Sequence, residues 1–179
     1  LLSLMARLGS ADPVELRGAL DEIVAGFDLS RFGAAPTKFD EADLFPLTHR
    51  YLATAPLGVV AEDVRAAGVP DDLAPAFWDV IRENVDTRAD IAPWWRVLSE
   101  GAAPVVDPED AEFVRAALAL LPDPPYGPET WGEWTGQVKE ATGRKGKSLF
   151  MPLRKALTGQ PRGPEMAAFM PLMQARPRL

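Results

Sequence analysis

The residues best equipped for chemistry in this chain lie between Gly143 and Met166, in the stretch GRKGKSLFMPLRKALTGQPRGPEM. Arg144, Lys145, Lys147, Arg154, Lys155 and Arg162 fall inside it, and Lys139 stands just ahead. Residues 138–179 carry 9 Lys and Arg against 2 Asp and Glu, a net charge of +7. Residues 1–137 carry 10 against 24, a net charge of −14. The overall −7 and the pI near 4.8 therefore conceal a positive end on a negative body. Such a division suits a polyanionic partner, because the basic end attracts it while the acidic body stays soluble and repels incorrect docking. Charge alone fits a solvated basic tail equally well.

The spacing within the stretch is more specific. Ser148 is placed to cap a helix, with Pro152 in the first turn, where backbone N–H groups have no intrahelical partner anyway. Leu149, Leu153 and Leu157 then share a core face, while Lys147, Met151, Arg154 and Thr158 group on another. Gly159 stops the helix, and QPRGPEM turns the chain into a last helix with Pro164 at its first position. A guanidinium beside a tight Gly–Pro turn, both on rigid elements, can hydrogen-bond base edges and hold splayed single-stranded bases. The plainer reading is helix punctuation with solubilising charge.

Other chemistries find little support. His49 is the only histidine and has no Ser or Cys nucleophile associated with it, so it reads as structural. Asp71/Asp72 and Glu109/Asp110 fall at helix starts, where capping and the helix dipole account for them. Five tryptophans (Trp78, Trp94, Trp95, Trp131 and Trp134) could stack on bases, but their spacing beside Leu and Val reads as core. GRKGK does not match a phosphate-binding GxxxxGK[ST] loop, and neither a dinucleotide fingerprint nor metal-ligand spacing is found. The absence of cysteine excludes disulfides, zinc knuckles and thiol chemistry, and fits a reducing cytoplasm. No apolar run approaches the roughly 20 residues of a membrane helix. The opening LLSLMARLGS lacks a basic leader, so it does not read as a signal peptide. A chain that starts without Met, directly on a helical pattern, is expected to be an excised piece of something longer.

Nearly every segment that must position these residues has the helical period. Residues 12–27 predict a helix with Asp12 as N-cap and Pro13 at its first position, followed by Val14, Leu16, Leu20, Ile23, Val24 and Phe27. Asp40 can cap a helix over 38–52. A short helix over 56–68 ends at Gly68 and Pro70, and Asp71 or Asp72 opens the next, with Phe77, Trp78, Ile81 and Val85. Further helices are expected within 86–101, over 107–122 and 129–142, then over 148–158 and from Pro164 to about Ala175. The prolines of PDPPYGP (122–128) make a stiff connector. No period-2 run flanked by hairpin turns occurs, so the expected fold is all-α. A soft boundary falls near Ala55–Gly58.

Two motifs carry a resemblance. FDLSRFGAAPTKFDEADLFPLTHRYL (27–52) and GRKGKSLFMPLRKALTGQPRGPEM (143–166) are similar to the C-terminal portion of bacterial glutamyl-tRNA synthetase, a class I aminoacyl-tRNA synthetase. The likeness runs in order along essentially the whole chain, including a ten-helix reading between the motifs. It implies an all-α helical array in which residues 1–55 form a linking helical subdomain and 56–179 bind the anticodon. It also implies that the catalytic half, with its ATP and Mg²⁺, lies upstream; no HIGH-like or KMSKS-like sequence occurs here. The parent would join glutamate to tRNA, and this piece, inactive alone and without a cofactor of its own, would grip the tRNA.

By the same resemblance, Arg154 matches an arginine that contacts the anticodon. Pro164 and Met166 match residues packing on its last base, and Met151 matches a loop contact. Gly163 replaces a residue that is a hydroxyl in some relatives. Asn84, within DVIRENVDT (79–87), stands where members strict for tRNA(Glu) often hold an arginine reading the first anticodon base. That substitution implies loosened rejection of tRNA(Gln), unless Arg82 reaches around to replace the missing charge. Arg144, Lys145, Lys147, Lys155 and Arg162 are expected on the tRNA backbone. Thr48, where Asn is usual, is expected to be structural. The reading from a different class is a helical protein-interaction domain whose basic end docks on an acidic partner. A monomer is the simplest expectation.

Overall fold

The computed structural model describes residues 1–178. Among the described residues it contains ten α-helices joined by turns and longer loops, several with 3₁₀ segments, and no strand beyond one antiparallel bridge between Ser10 and Phe32. The helices are α1 (Leu2–Met5), α2 (Leu20–Ala25), α3 (Phe45–Thr54), α4 (Ala61–Ala66) and α5 (Ala74–Ile81), then α6 (Ile91–Glu100), α7 (Ala111–Ala119), α8 (Thr130–Thr142), α9 (Lys147–Thr158) and α10 (Met166–Phe169). The fold is all-α, as the periodicity predicts. No helix among the described residues is long and apolar enough to cross a membrane.

One core holds α3 to α10 together; it runs from Leu52 to Met173 and includes no residue of α1 or α2. α9 contributes Leu149, Leu153, Ala156 and Leu157, each almost wholly buried. Burying one such leucine stabilises by about 1.5–3 kcal/mol. Four of the five tryptophans are core residues, and two of them are tied by their polar end as well as their ring. The Trp78 indole donates to the Ala55 carbonyl at 2.8 Å, and that of Trp134 to the Ala117 carbonyl at 2.8 Å. Each bond satisfies a buried N–H that would otherwise carry a desolvation penalty.

The structure departs from the sequence reading at four helix starts. The helix expected over 12–27 forms only from Leu20 to Ala25. Asp12 caps nothing: its carboxylate is held by Arg7 at 3.3 Å and Arg31 at 2.6 Å. The Ser3 hydroxyl meanwhile takes both backbone groups of Arg17, accepting from its N–H and donating to its C=O, which keeps that segment extended. Asp71 and Asp72 do not cap α5, which begins at Ala74 after Leu73. Ser148 does not cap α9 either. The helix starts a residue earlier, Gly146 precedes it with φ 57°, and the Ser148 hydroxyl donates to the Lys145 carbonyl at 2.9 Å. Pro152 therefore lies in the helix interior rather than its first turn. Pro164 stands outside α10, because Glu165 before Met166 is extended.

Elsewhere a 3₁₀ turn opens the expected segment, so α3, α4 and α7 begin only at Phe45, Ala61 and Ala111. The Asp40 side chain accepts from the Ala42 N–H at 2.9 Å and opens the turn leading into α3. The Thr48 hydroxyl donates to the Leu44 carbonyl at 2.9 Å, within its own helix. His49 Nδ1 lies 3.1 Å from the Val85 carbonyl oxygen and 3.3 Å from Asp86, which ties α3 to the turn after α5.

Candidate nucleic-acid interface

The interface is built on α9 and the two turns that flank it. α8 ends at Gly143, whose φ of 71° is a left-handed conformation that glycine adopts without steric penalty. The following residues, Arg144 and Lys145, reverse the chain into α9. Arg144 turns inward. Its guanidinium pairs with Asp110, lies 4.1 Å from the centre of the Phe113 ring, and donates to the Ser148 carbonyl at 3.3 Å. The last contact has a clear cause. Pro152 has no N–H, so the carbonyl four residues earlier in the helix loses its usual donor, and Arg144 supplies one from outside.

Lys155 is restrained in the same way, its ammonium lying 2.6 and 2.7 Å from the two carboxylate oxygens of Asp107. Asp107 and Asp110 bracket the turn before α7, and neither caps it with its side chain. Two of the five cations expected on an RNA backbone are therefore bound internally. Lys145, Lys147 and Arg162 are exposed and make no ion pair among the described residues. Sequence reasoning assigned Asp110 to the helix dipole. Its pairing across 34 residues, and that of Asp107 across 48, leave no local signal.

Arg154 is half-buried, and its Nη1 donates to the Pro164 carbonyl at 2.6 Å. Burial lowers its pKa from the usual guanidinium value, because desolvation disfavours the charged form. The turn it grips approaches closely enough that a Cβ on Gly163 would sit 3.1 Å from the Trp94 ring and 3.5 Å from Arg154 Nη1. Glycine is what lets this turn settle against the Trp94 ring. Trp94 also packs edge-on against Phe169 at 5.7 Å and donates its N–H to the Asn84 carbonyl at 3.2 Å. One indole thus braces both the Asn84 turn and the Gly163–Pro164 turn, a role that its reading as plain core did not include.

Between these turns runs a groove of about 440 Å³, lined by Asp79, Val80, Glu83, Asn84, Gly163, Pro164, Glu165 and Ala168. Asn84 and Pro164, 80 residues apart in sequence, face the same space. Arg82 does not line it. Its guanidinium rests 3.5 Å from Asp79, and its Nε is buried without a hydrogen-bond partner. Met151 is half-buried on the Arg154 face of α9, whereas Pro164 is buried. Met166, at 1% exposure, supports the turn from behind.

The anticodon binding domain family matches residues 49–175, a span that takes in the groove, α9 and both flanking turns. This chain belongs to that family. It is 64% identical over 174 residues to glutamate–tRNA ligase 1 of Cereibacter sphaeroides, a match covering 97% of this chain and 40% of the relative. It is 62% identical over 179 residues to glutamate–tRNA ligase 2 of Dinoroseobacter shibae, covering all of this chain and 41% of the relative. The chain thus spans well under half the length of these relatives. Among solved structures, the glutamate–tRNA synthetase of Elizabethkingia anophelis superimposes with a TM-score of 0.65 at 19% identity, covering 96% of this chain and 37% of that one. At that identity the likeness speaks for the fold alone. The resemblance carried by residues 27–52 and 143–166 therefore stands, and an anticodon-binding domain is the context for the basic end.

Proposed function

We propose that this chain is the tRNA-gripping portion of a glutamate–tRNA ligase whose remaining part binds ATP and Mg²⁺ and attaches glutamate. The observation that carries this reading is the family match over 49–175, which contains the arginine-held Gly–Pro turn facing Asn84 across a groove. Arg154, the Gly163–Pro164 turn and Met151 contact the anticodon loop, with Met166 holding the turn in place. Asn84 faces the first anticodon base. Because an amide replaces a fixed positive charge, discrimination there is weak, and tRNA(Gln) is accepted alongside tRNA(Glu). Arg82 does not substitute, being held at Asp79. Lys145, Lys147 and Arg162 meet phosphates, while Arg144 and Lys155 shape the surface from within.

Residues 1–55 serve as the linking subdomain and 56–179 as the anticodon-binding unit, acting as a monomer in the cytoplasm. The isolated chain has no ligase activity. Titration with an anticodon stem-loop of glutamate tRNA tests the reading. Arg154→Ala is expected to weaken binding by about 1–3 kcal/mol, the scale of one base-directed arginine contact. Unchanged binding by that variant would remove Arg154 from the interface.

A further inference from the structure

We infer that Phe150 and Trp131 form a stacking platform for an unpaired nucleobase of the bound RNA, a site that deepens the anticodon-binding reading and rests on it. From residue 52 to residue 178 the chain holds ten aromatic side chains, and eight of them are buried. The two exceptions face each other. Phe150 is 44% exposed, Trp131 is half-buried, and their ring centres are 6.1 Å apart with planes tilted by 38°. Trp131 is anchored from behind by Trp134, edge-on at 5.7 Å, whose own indole N–H is bonded to Ala117. The platform is therefore rigid on one side and open on the other.

Its surroundings select the occupant. Lys147 precedes Phe150 by three residues on α9, so the two side chains are neighbours on the helix surface. Lys145 stands at the entry to the same helix, and neither lysine has an ion pair among the described residues. Arg154 follows Phe150 by four residues, about 6 Å along the helix axis, so a base on Phe150 belongs to the same loop as a base at Arg154. An exposed ring among unpaired cations matches a base with its phosphate: the π-face stacks and the lysines neutralise the backbone. An apolar protein partner would leave those lysines desolvated and uncompensated.

The test uses an anticodon stem-loop of glutamate tRNA carrying 2-aminopurine at one loop position at a time. Wild-type protein is expected to quench the fluorescence at one position, and Phe150→Ala to abolish that quench. Phe150→Ala should also weaken binding about 5- to 100-fold, the range for loss of one base–aromatic stack, with the salt dependence unchanged because no charge is lost. Phe150→Tyr keeps the π-face and should retain both binding and quench. Phe150→Leu keeps apolar packing on Trp131 and separates stacking from stability; it should bind as weakly as Phe150→Ala. Wild-type affinity for Phe150→Leu, or for Phe150→Ala while Arg154→Ala is weakened, overturns the platform and leaves the anticodon reading intact. If neither Arg154→Ala nor any Phe150 variant weakens binding, both readings fall.

Discussion

The cations of the basic end divide into two groups that the sequence makes look alike. Arg144 and Lys155 are held by Asp110 and Asp107, with Arg144 further occupied by the Phe113 ring and the carbonyl freed by Pro152. Lys145, Lys147 and Arg162 are exposed and without ion pairs among the described residues. A cation counts toward polyanion binding only if its charge is available, so a segment's net charge overstates its electrostatic grip. The acidic turn before α7 thereby does two things: it fastens α9 to α7, and it fixes which charges remain outside.

This contrast can be broken from either side. The largest effect is expected for Arg144→Ala, which removes an ion pair, a ring contact and the donor to the Ser148 carbonyl together. A loss of about 1–3 kcal/mol of stability, the combined scale of a partly buried charged hydrogen bond and the ring contact, should appear in denaturant unfolding, with the salt dependence of RNA binding nearly unchanged. Lys147→Ala should do the reverse. Its stability stays within about 0.5 kcal/mol of wild type, as for an exposed site, and the slope of log affinity against log salt falls by roughly one unit. Asp107→Asn sharpens the comparison with a smaller loss of stability than Arg144→Ala. Releasing Lys155 costs up to about 1 kcal/mol for a partly exposed pair, and the salt slope should steepen as a new cation becomes available. Equal salt slopes for Arg144→Ala and Lys147→Ala would erase the distinction.

What was legible in the sequence was whatever depends on neighbours within a turn or two. The Leu149, Leu153 and Leu157 face, the Asp40 cap and the core placement of Trp78 and Trp134 follow from helical period, because burial of one stripe needs no distant information. Starts set by distant partners were not legible. The segment after Asp12 has the pattern of a helix, yet Arg7, Arg31 and Ser3 claim its polar groups first. Pro164 has the sequence look of a first helical residue, but Arg154 takes its carbonyl and the helix waits until Met166. For the site, residue types near α9 were readable. The bracing role of Trp94 and the Asp107 and Asp110 pairs were not, since each joins segments that only the fold brings together.

Base-by-base titration of the chain, at fixed salt, with anticodon stem-loops of glutamate tRNA altered at single positions is the most direct test of the central claim. Changes at the second and third anticodon bases should weaken binding more than the swap of one stem pair, and, on the proposed placement of Asn84, a change at the first base should matter little. Equal, salt-dependent binding to every loop would contradict the account, leaving a basic patch that reads no anticodon.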